Sequence, residues 1–409
     1  MSDRIRILPR LLLTAAAAVL LGALLLVPVR MIPASRIAAR TAESAQLNYT
    51  ELRPELLPGV EITQLDNFTD SLMLNLCLTE SDSPLRDVLA NPVTVYNWID
   101  AAEDLRLLTD GAPGGEQINY TRYWHGWQLF LRPLLLFANL STIRFLLMVL
   151  ELTLTLLVIA GLCRRDVLAG LPLLAFWLSL YPPALFFSLQ YGSVYCVTLL
   201  GCLGLLYGKR KHPALLFELL GIAVAYFDFL SYPLAALGVP LALYLSLTAG
   251  TERRLGPRAG DALGLCACWG FGYAFMWAGK WVLTNLLTGI DALGDSLSKA
   301  AYRIAGQEPG EQIGALTAIG RNLRFFAYKG LLLSLALLAA AGLILLLRRQ
   351  RRSVCAADAA GLLGCALMPF VWYALLANHS QVHAFFTYRE LGITVFALFS
   401  LLTLPLRER

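Results

Sequence analysis

The chain has 409 residues, of which 57% are hydrophobic and only 15% charged, with a mean hydropathy of +0.62. A soluble globular chain of that size would have to expose large apolar patches, so the composition implies a polytopic membrane protein and excludes a soluble fold. The formal net charge of +5 does not point to nucleic acid, because the basic residues stand in short groups beside hydrophobic runs, where they report orientation.

Arg4, Arg6 and Arg10 precede an apolar run from Leu11 to about Val29, long enough to cross ~30 Å of hydrocarbon. Residues 1–30 are therefore expected to hold a first transmembrane helix with the N-terminus in the cytoplasm. Residues 31–140 are polar and long enough to fold as an external loop subdomain with interfacial helices. Within it, Leu65-Asp66-Asn67-Phe68-Thr69-Asp70 places two carboxylates four residues apart, on one face of any helix that forms there. The spacing from Asp87 to Leu108, with Val88, Leu89, Val95, Trp98 and Ile99, predicts a single amphipathic helix. The loop closes on Arg122-Tyr123-Trp124-His125-Gly126-Trp127, and Gln128 to Leu140 is too short to span, which predicts an interfacial or re-entrant helix.

Residues 141–409 predict a bundle of nine further helices. The apolar runs start near Thr142, Leu168, Pro183, Leu215, Pro233, Ala262, Gly330, Ala359 and Leu391. They alternate with basic groups at Arg164-Arg165, Lys209-Arg210-Lys211, Arg253-Arg254, Arg348-Arg349 with Arg351-Arg352, and Arg407 with Arg409. The fold class read from this pattern is an all-α polytopic membrane protein of about ten transmembrane helices, in the cell membrane, with both termini cytoplasmic. Most of the eight cysteines lie inside apolar runs and Cys77 stands in the first loop, so no external disulfide is expected; Cys266 and Cys268, one residue apart, serve packing.

That topology places the chain's unusual polar residues at one membrane face: Asp66, Asp70, Arg122 and His125 in the first loop, then Asp228, Lys280, His379, His383 and Arg389 at later outer ends. A charge at the edge of a span costs a few kcal/mol unless paired or hydrated, which favours a shared polar cavity. The bland roles are also open: Lys280 as a snorkelling anchor between Trp277 and Trp281, Asp228 as a turn cap, Glu151 as a packing residue inside its span. His379 and His383 are four apart and can share a helical face as metal ligands, but Ser380 stands where a zincin motif requires Glu.

One span, a large external loop with acids early in it, and a run of short-looped hairpins together resemble the layout of the GT-C superfamily of membrane glycosyltransferases. The resemblance implies an enzyme that moves a sugar from a polyprenyl-phosphate carrier to a glycan, lipid or protein acceptor at the outer face of the bilayer. Asp66 or Asp70 would match the family's first-loop base, and the stretch ending in Arg389 would resemble the residues that hold the carrier phosphate. The family's acids stand adjacent or one residue apart, whereas here the pattern is Asp-x-x-x-Asp. Which acid is the base, and whether a divalent metal ion is used, stay open; no other cofactor is implied. Asp66, nearer the expected helix start, is the preferred base, with Arg122, His125, Asp228, Lys280, His379, His383 and Arg389 as substrate-binding candidates. A multi-pass transporter or flippase of envelope lipids, or another outer-leaflet transferase, is the alternative.

Overall fold

The apolar N-terminal run forms one continuous helix, α1 (Ser2–Arg30). The computed structural model describes residues 2–48, 52–81, 83–97, 100–208, 212–308, 310–348 and 353–404. Lys209-Arg210-Lys211, Arg349 with Arg351-Arg352, Arg407 with Arg409, and Trp98 with Ile99 lie outside the described residues.

The first loop folds as α2 (Ala34–Asn48), α3 (Asn67–Leu78), α4 (Pro84–Ala90), β1 (Pro92–Val95), α5 (Ala101–Thr109), β2 (Glu116–Asn119) and α6 (Gln128–Leu134). The single amphipathic helix expected from Asp87 to Leu108 is instead α4, a strand and α5. Asn91 turns left-handed at φ 47°; it precedes Pro92, whose ring disfavours helix at the residue before it, and so the helix stops there. β1 and β2 pair antiparallel from Pro92 opposite Asn119 to Val95 opposite Glu116. α2, α3 and α5 enclose Ile37, Met73, Leu74, Leu76 and Leu105, and this core runs on through Trp127 and Leu131 to Leu140, Ile143 and Leu189 of the bundle. Arg132, buried in α6, donates to the carbonyls of Ile32 and Cys77 and pairs with Glu80, which closes the loop on itself.

The bundle follows as α7 (Leu140–Cys163), α8 (Leu171–Ser179), α9 (Pro182–Phe186), α10 (Leu189–Tyr207), α11 (Pro213–Phe227), α12 (Ala235–Leu247) and α13 (Leu255–Thr288). It continues with α14 (Ala292–Ala305), α15 (Ala315–Phe326), α16 (Lys329–Arg348), α17 (Ala356–Leu375), α18 (Ala377–Val382), α19 (Ala384–Thr387) and α20 (Leu391–Thr403). Among the described residues, six helices are long and apolar enough to cross a bilayer: Leu8–Arg30, Leu140–Cys163, Leu189–Tyr207, Leu255–Thr288, Ala356–Leu375 and Ala384–Thr403. A seventh follows if α15 and α16, bent by 76°, form one broken span. The protein is thus an all-α membrane protein apart from its one ribbon, but the ten spans expected from the sequence are not reached on length. Val167–Ser179, Pro213–Phe227 and Ala235–Leu247 are apolar yet short; at ~1.5 Å per residue the last covers only ~20 Å. α12 is apolar on every side and buried along most of its length, so neighbouring helices rather than lipid are its solvent. α11 and α13 meet backbone to backbone, because a Cβ on Gly221 would strike Trp269 O and one on Gly272 would strike Glu218 O.

Several connections converge at one end of this bundle. The start of α10 reaches α3, the Ser188 hydroxyl accepting from Asp66 N at 3.1 Å and Leu189 N donating to Asp70 at 3.0 Å. The α11–α12 turn reaches the segment after α17, where Leu230 O accepts from His379 at 2.8 Å and Leu234 N donates to Glu390 at 3.0 Å. Arg122 of the first loop pairs with Asp295 of α14 at 2.8 Å, and Asn378 donates to Gly306 O at 3.0 Å. Loops far apart in sequence therefore share one face.

Candidate functional site

Asp66 is the N-cap of α3: its carboxylate accepts from Thr69 N at 3.0 Å and from the Thr69 hydroxyl at 2.7 Å. A first-loop acid ahead of an apolar helix supplies this cap because the first backbone N–H groups of a helix lack internal acceptors. The side chain is buried, and burial pushes its pKa up to about 6, against the hydrogen bonds from Thr69 and with a further push from Asp70. Asp70, one turn on, is fully buried and is held by Arg144 of α7 (2.7 Å and 3.2 Å) and by Leu189 N. Burial raises this carboxyl as well, and Arg144 opposes the rise. The two acids share a face as the spacing predicts, but each has a different set of partners.

Arg389 is fully buried. Its guanidinium carbon lies 3.7 Å from the centre of the Tyr191 ring and 4.8 Å from that of Tyr388, and Nη1 donates to Phe385 O at 3.0 Å. Nε and Nη2 have no protein acceptor among the described residues. Tyr191, in the first turn of α10, lies within electrostatic range of Arg389, Asp66 and Asp70 alike. Arg53, exposed on the loop before α3, stacks 4.1 Å over Phe385 and acts on both Asp66 and His383. The first-loop acids and the late basic stretch thus belong to one constellation, bridged by Tyr191 and Arg53.

His379 and His383 sit with ring centres 4.9 Å apart. Burial holds both imidazoles down, with Arg303 adding to it, and His383 falls to about 3. Both are neutral at physiological pH. Among the described residues no three His, Cys, Asp or Glu side chains gather as a metal set. The carboxylates of Asp66 and Asp70 face Thr69, Arg144 and Leu189 N.

The remaining candidates stand elsewhere. Asp228 caps the α11–α12 turn through Ser231 N at 2.9 Å and the Ser231 hydroxyl; this shapes the left-handed Leu230 (φ 70°) whose carbonyl meets His379. Lys280 does not snorkel at a rim: it is buried, donating to Val88 O at 2.6 Å and Leu89 O at 2.7 Å, where a cation satisfies the last carbonyls of α4. Arg122 is paired to Asp295. His125 (φ 57°) is packed among Tyr120, Tyr123, Trp127 and Phe229, with Nε2 donating to Tyr120 O at 3.2 Å. Lys280 and Arg122 join the first loop to α13 and α14, and His125 packs within the first loop and against Phe229 of the α11–α12 turn, none of them among the contacts of Asp66 or Arg389.

Arg53, Arg144, Tyr191 and Ser188 were not singled out from the sequence. Arg144 carried one signal, a cation near the start of a span whose only other charged residue is Glu151; nothing in the local sequence of Tyr191 or Ser188 announces their role. Glu151, expected to pack inside its span, is fully buried against Gly192. Comparison with protein-family profiles, with curated proteins and with solved structures finds no match to this chain.

Proposed function

We propose that this protein is a membrane glycosyltransferase of the GT-C kind, which transfers a sugar from a polyprenyl-phosphate carrier to an acceptor hydroxyl at the face where the first loop folds. The observation that supports the reading is the buried Arg389, with two unpartnered guanidinium nitrogens, sharing Tyr191 with the carboxylates of Asp66 and Asp70. A buried guanidinium with free donors suits a phosphate, to which it offers two roughly parallel N–H groups.

In this reading the acceptor oxygen attacks the anomeric carbon while Asp66 takes its proton. The bond from that carbon to the carrier phosphate breaks, and its electron pair leaves on the phosphate oxygen, whose charge Arg389 stabilises. Asp70, fixed by Arg144, positions α3 and adds negative field. The neutral histidines offer hydrogen bonds rather than charge. The test incubates the purified protein with labelled polyprenyl-phosphate sugars and a set of acceptors. Wild type turns over, and Arg389→Gln weakens donor binding by about 1.5 to 3 kcal/mol, the range for a charge-assisted hydrogen bond. Unchanged donor affinity in Arg389→Gln would overturn the assignment.

A transporter is the second reading, favoured by one observation: the carboxylates of Glu151 in α7 and Glu218 in α11 are buried in apolar helices with no hydrogen-bond partner among the described residues. Such acids often mark ion or proton paths. Substrate flux in proteoliposomes that is lost in Glu151→Gln or Glu218→Gln, with no sugar transfer, would select it.

A further inference from the structure

A cavity of about 280 Å³ opens between α14 and the ends of α13 and α17. Its walls are apolar and aromatic, with Tyr273, Trp277 and Trp281 of α13 facing Trp372 and Leu375 of α17. Ser296, Lys299, Ala300 and Arg303 recur at helical spacing along α14, so one face of that helix forms the remaining side. Beside this face α14 exposes Leu293 and Leu297, as expected of a helix lying in a membrane interface.

The polar side chains in this lining carry N–H or O–H donors, and only its hydroxyls can also accept. The Trp277 and Trp372 indole N–H groups and the Ser296 hydroxyl are buried without a hydrogen-bond partner among the described residues. Arg303 bonds the Tyr123 hydroxyl and lies 5.6 Å from the centre of the Tyr123 ring, while Lys299 is exposed at the rim. None of the described lining residues is acidic, and the neighbouring Asp295 is already held by Arg122 at 2.8 Å. Buried donors left unsatisfied cost free energy that an acceptor-rich ligand removes.

We infer that this cavity binds the headgroup of an anionic phospholipid from the surrounding bilayer. The phosphate oxygens accept from Ser296, Lys299 and Arg303, and the first acyl carbons lie against the tryptophans. A zwitterionic lipid brings a choline cation to a basic rim, and a free phosphate leaves the aromatic wall uncovered; neither complements the site. The inference does not rest on the transferase reading, since Arg389 is outside this lining.

The test titrates the full-length protein, stripped of lipid in an uncharged detergent, with phosphatidylglycerol, phosphatidylcholine or inorganic phosphate, reading bound lipid by native mass spectrometry and phosphate by thermal shift. Phosphatidylglycerol should bind about tenfold more tightly than phosphatidylcholine, as expected for two interfacial cations. Lys299→Gln, at an exposed position, should cut that preference by about threefold or more without changing the melting temperature of the lipid-free protein. Arg303→Gln should cut it further, and Arg389→Gln should leave it unchanged. Equal binding of the two lipids, a shift by inorganic phosphate alone that matches phosphatidylglycerol, or an equal loss in Arg389→Gln would each overturn a separate anionic-lipid site.

Discussion

Asparagine caps a helix about as well as aspartate, which makes Asp66→Asn a useful probe: the amide oxygen can still accept from Thr69 N, and the Thr69 hydroxyl, which donates to the second carboxylate oxygen, can turn to accept from the amide NH2, while the proton acceptor is lost. The variant is expected to be at least as stable as wild type at neutral pH, because it removes a carboxylate whose ionised form burial disfavours, and to lose turnover by ~10² or more if the carboxylate is the base; full turnover would remove Asp66 from the reaction. Asp70→Asn should behave in the opposite manner. It leaves Arg144 buried beside a neutral amide, and removing one partner of a buried ion pair costs about 3 to 5 kcal/mol, visible as a lower melting temperature whatever the assay. The pH dependence follows from the Asp66 pKa of about 6 against its ordinary 3.8. The folded chain binds this proton more tightly than the unfolded chain, so the stability it contributes is present below about pH 4 and is lost as pH rises through about 6. A base needs the ionised form, so turnover should rise across that same window. A wild-type rate already flat at pH 5 would contradict the buried carboxyl.

Among the elements, α4 shows how the first loop is fastened to the bundle. Seven residues are too few for a stable isolated helix. α4 ends on carbonyls that receive Lys280 Nζ, and Leu89 O also accepts from Thr284 at 3.1 Å. Lys280→Met keeps the apolar stem and removes the donor, at an expected cost of about 1 to 3 kcal/mol for carbonyls left without it. Protease access in the first loop should rise while α13 stays inserted. Unchanged proteolysis would show that Trp124, whose indole N–H donates to Met276 O at 2.7 Å, holds the loop without it.

For the molecule as a whole, the decisive feature is that the first loop, the α13–α15 stretch and the segment after α17 touch at one end. Cysteines placed at Ser83 and Gln307 should therefore react alike with an impermeant thiol reagent in intact cells, because Arg122 to Asp295 and Asn378 to Gly306 contacts hold both loops on one side. Labelling of one position and protection of the other would break this arrangement. If the charge bias reads correctly, both label from outside.

Composition and charge alternation made the membrane class and the existence of almost every apolar helix legible, because a segment's transfer from water to lipid depends on its own residues. That Asp66 and Asp70 fall on one face once the segment is helical was legible for a similar reason, since helical period is local. The break of the Asp87 to Leu108 stretch at Asn91-Pro92 was also local, but the apolar spacing masked it. What each polar residue bonds to was decided only by the tertiary structure. Lys280 reads as a rim cation until α4 is placed against it, and Arg389 becomes part of a site only when Tyr191, nearly two hundred residues earlier, stacks beneath it. The number of full spans depends on tertiary structure too, because a short apolar helix such as α12 takes protein as its surroundings. Local pattern determines that a segment leaves water; whether lipid or other helices receive it, and which buried charge meets which partner, depends on contacts between residues distant in the chain.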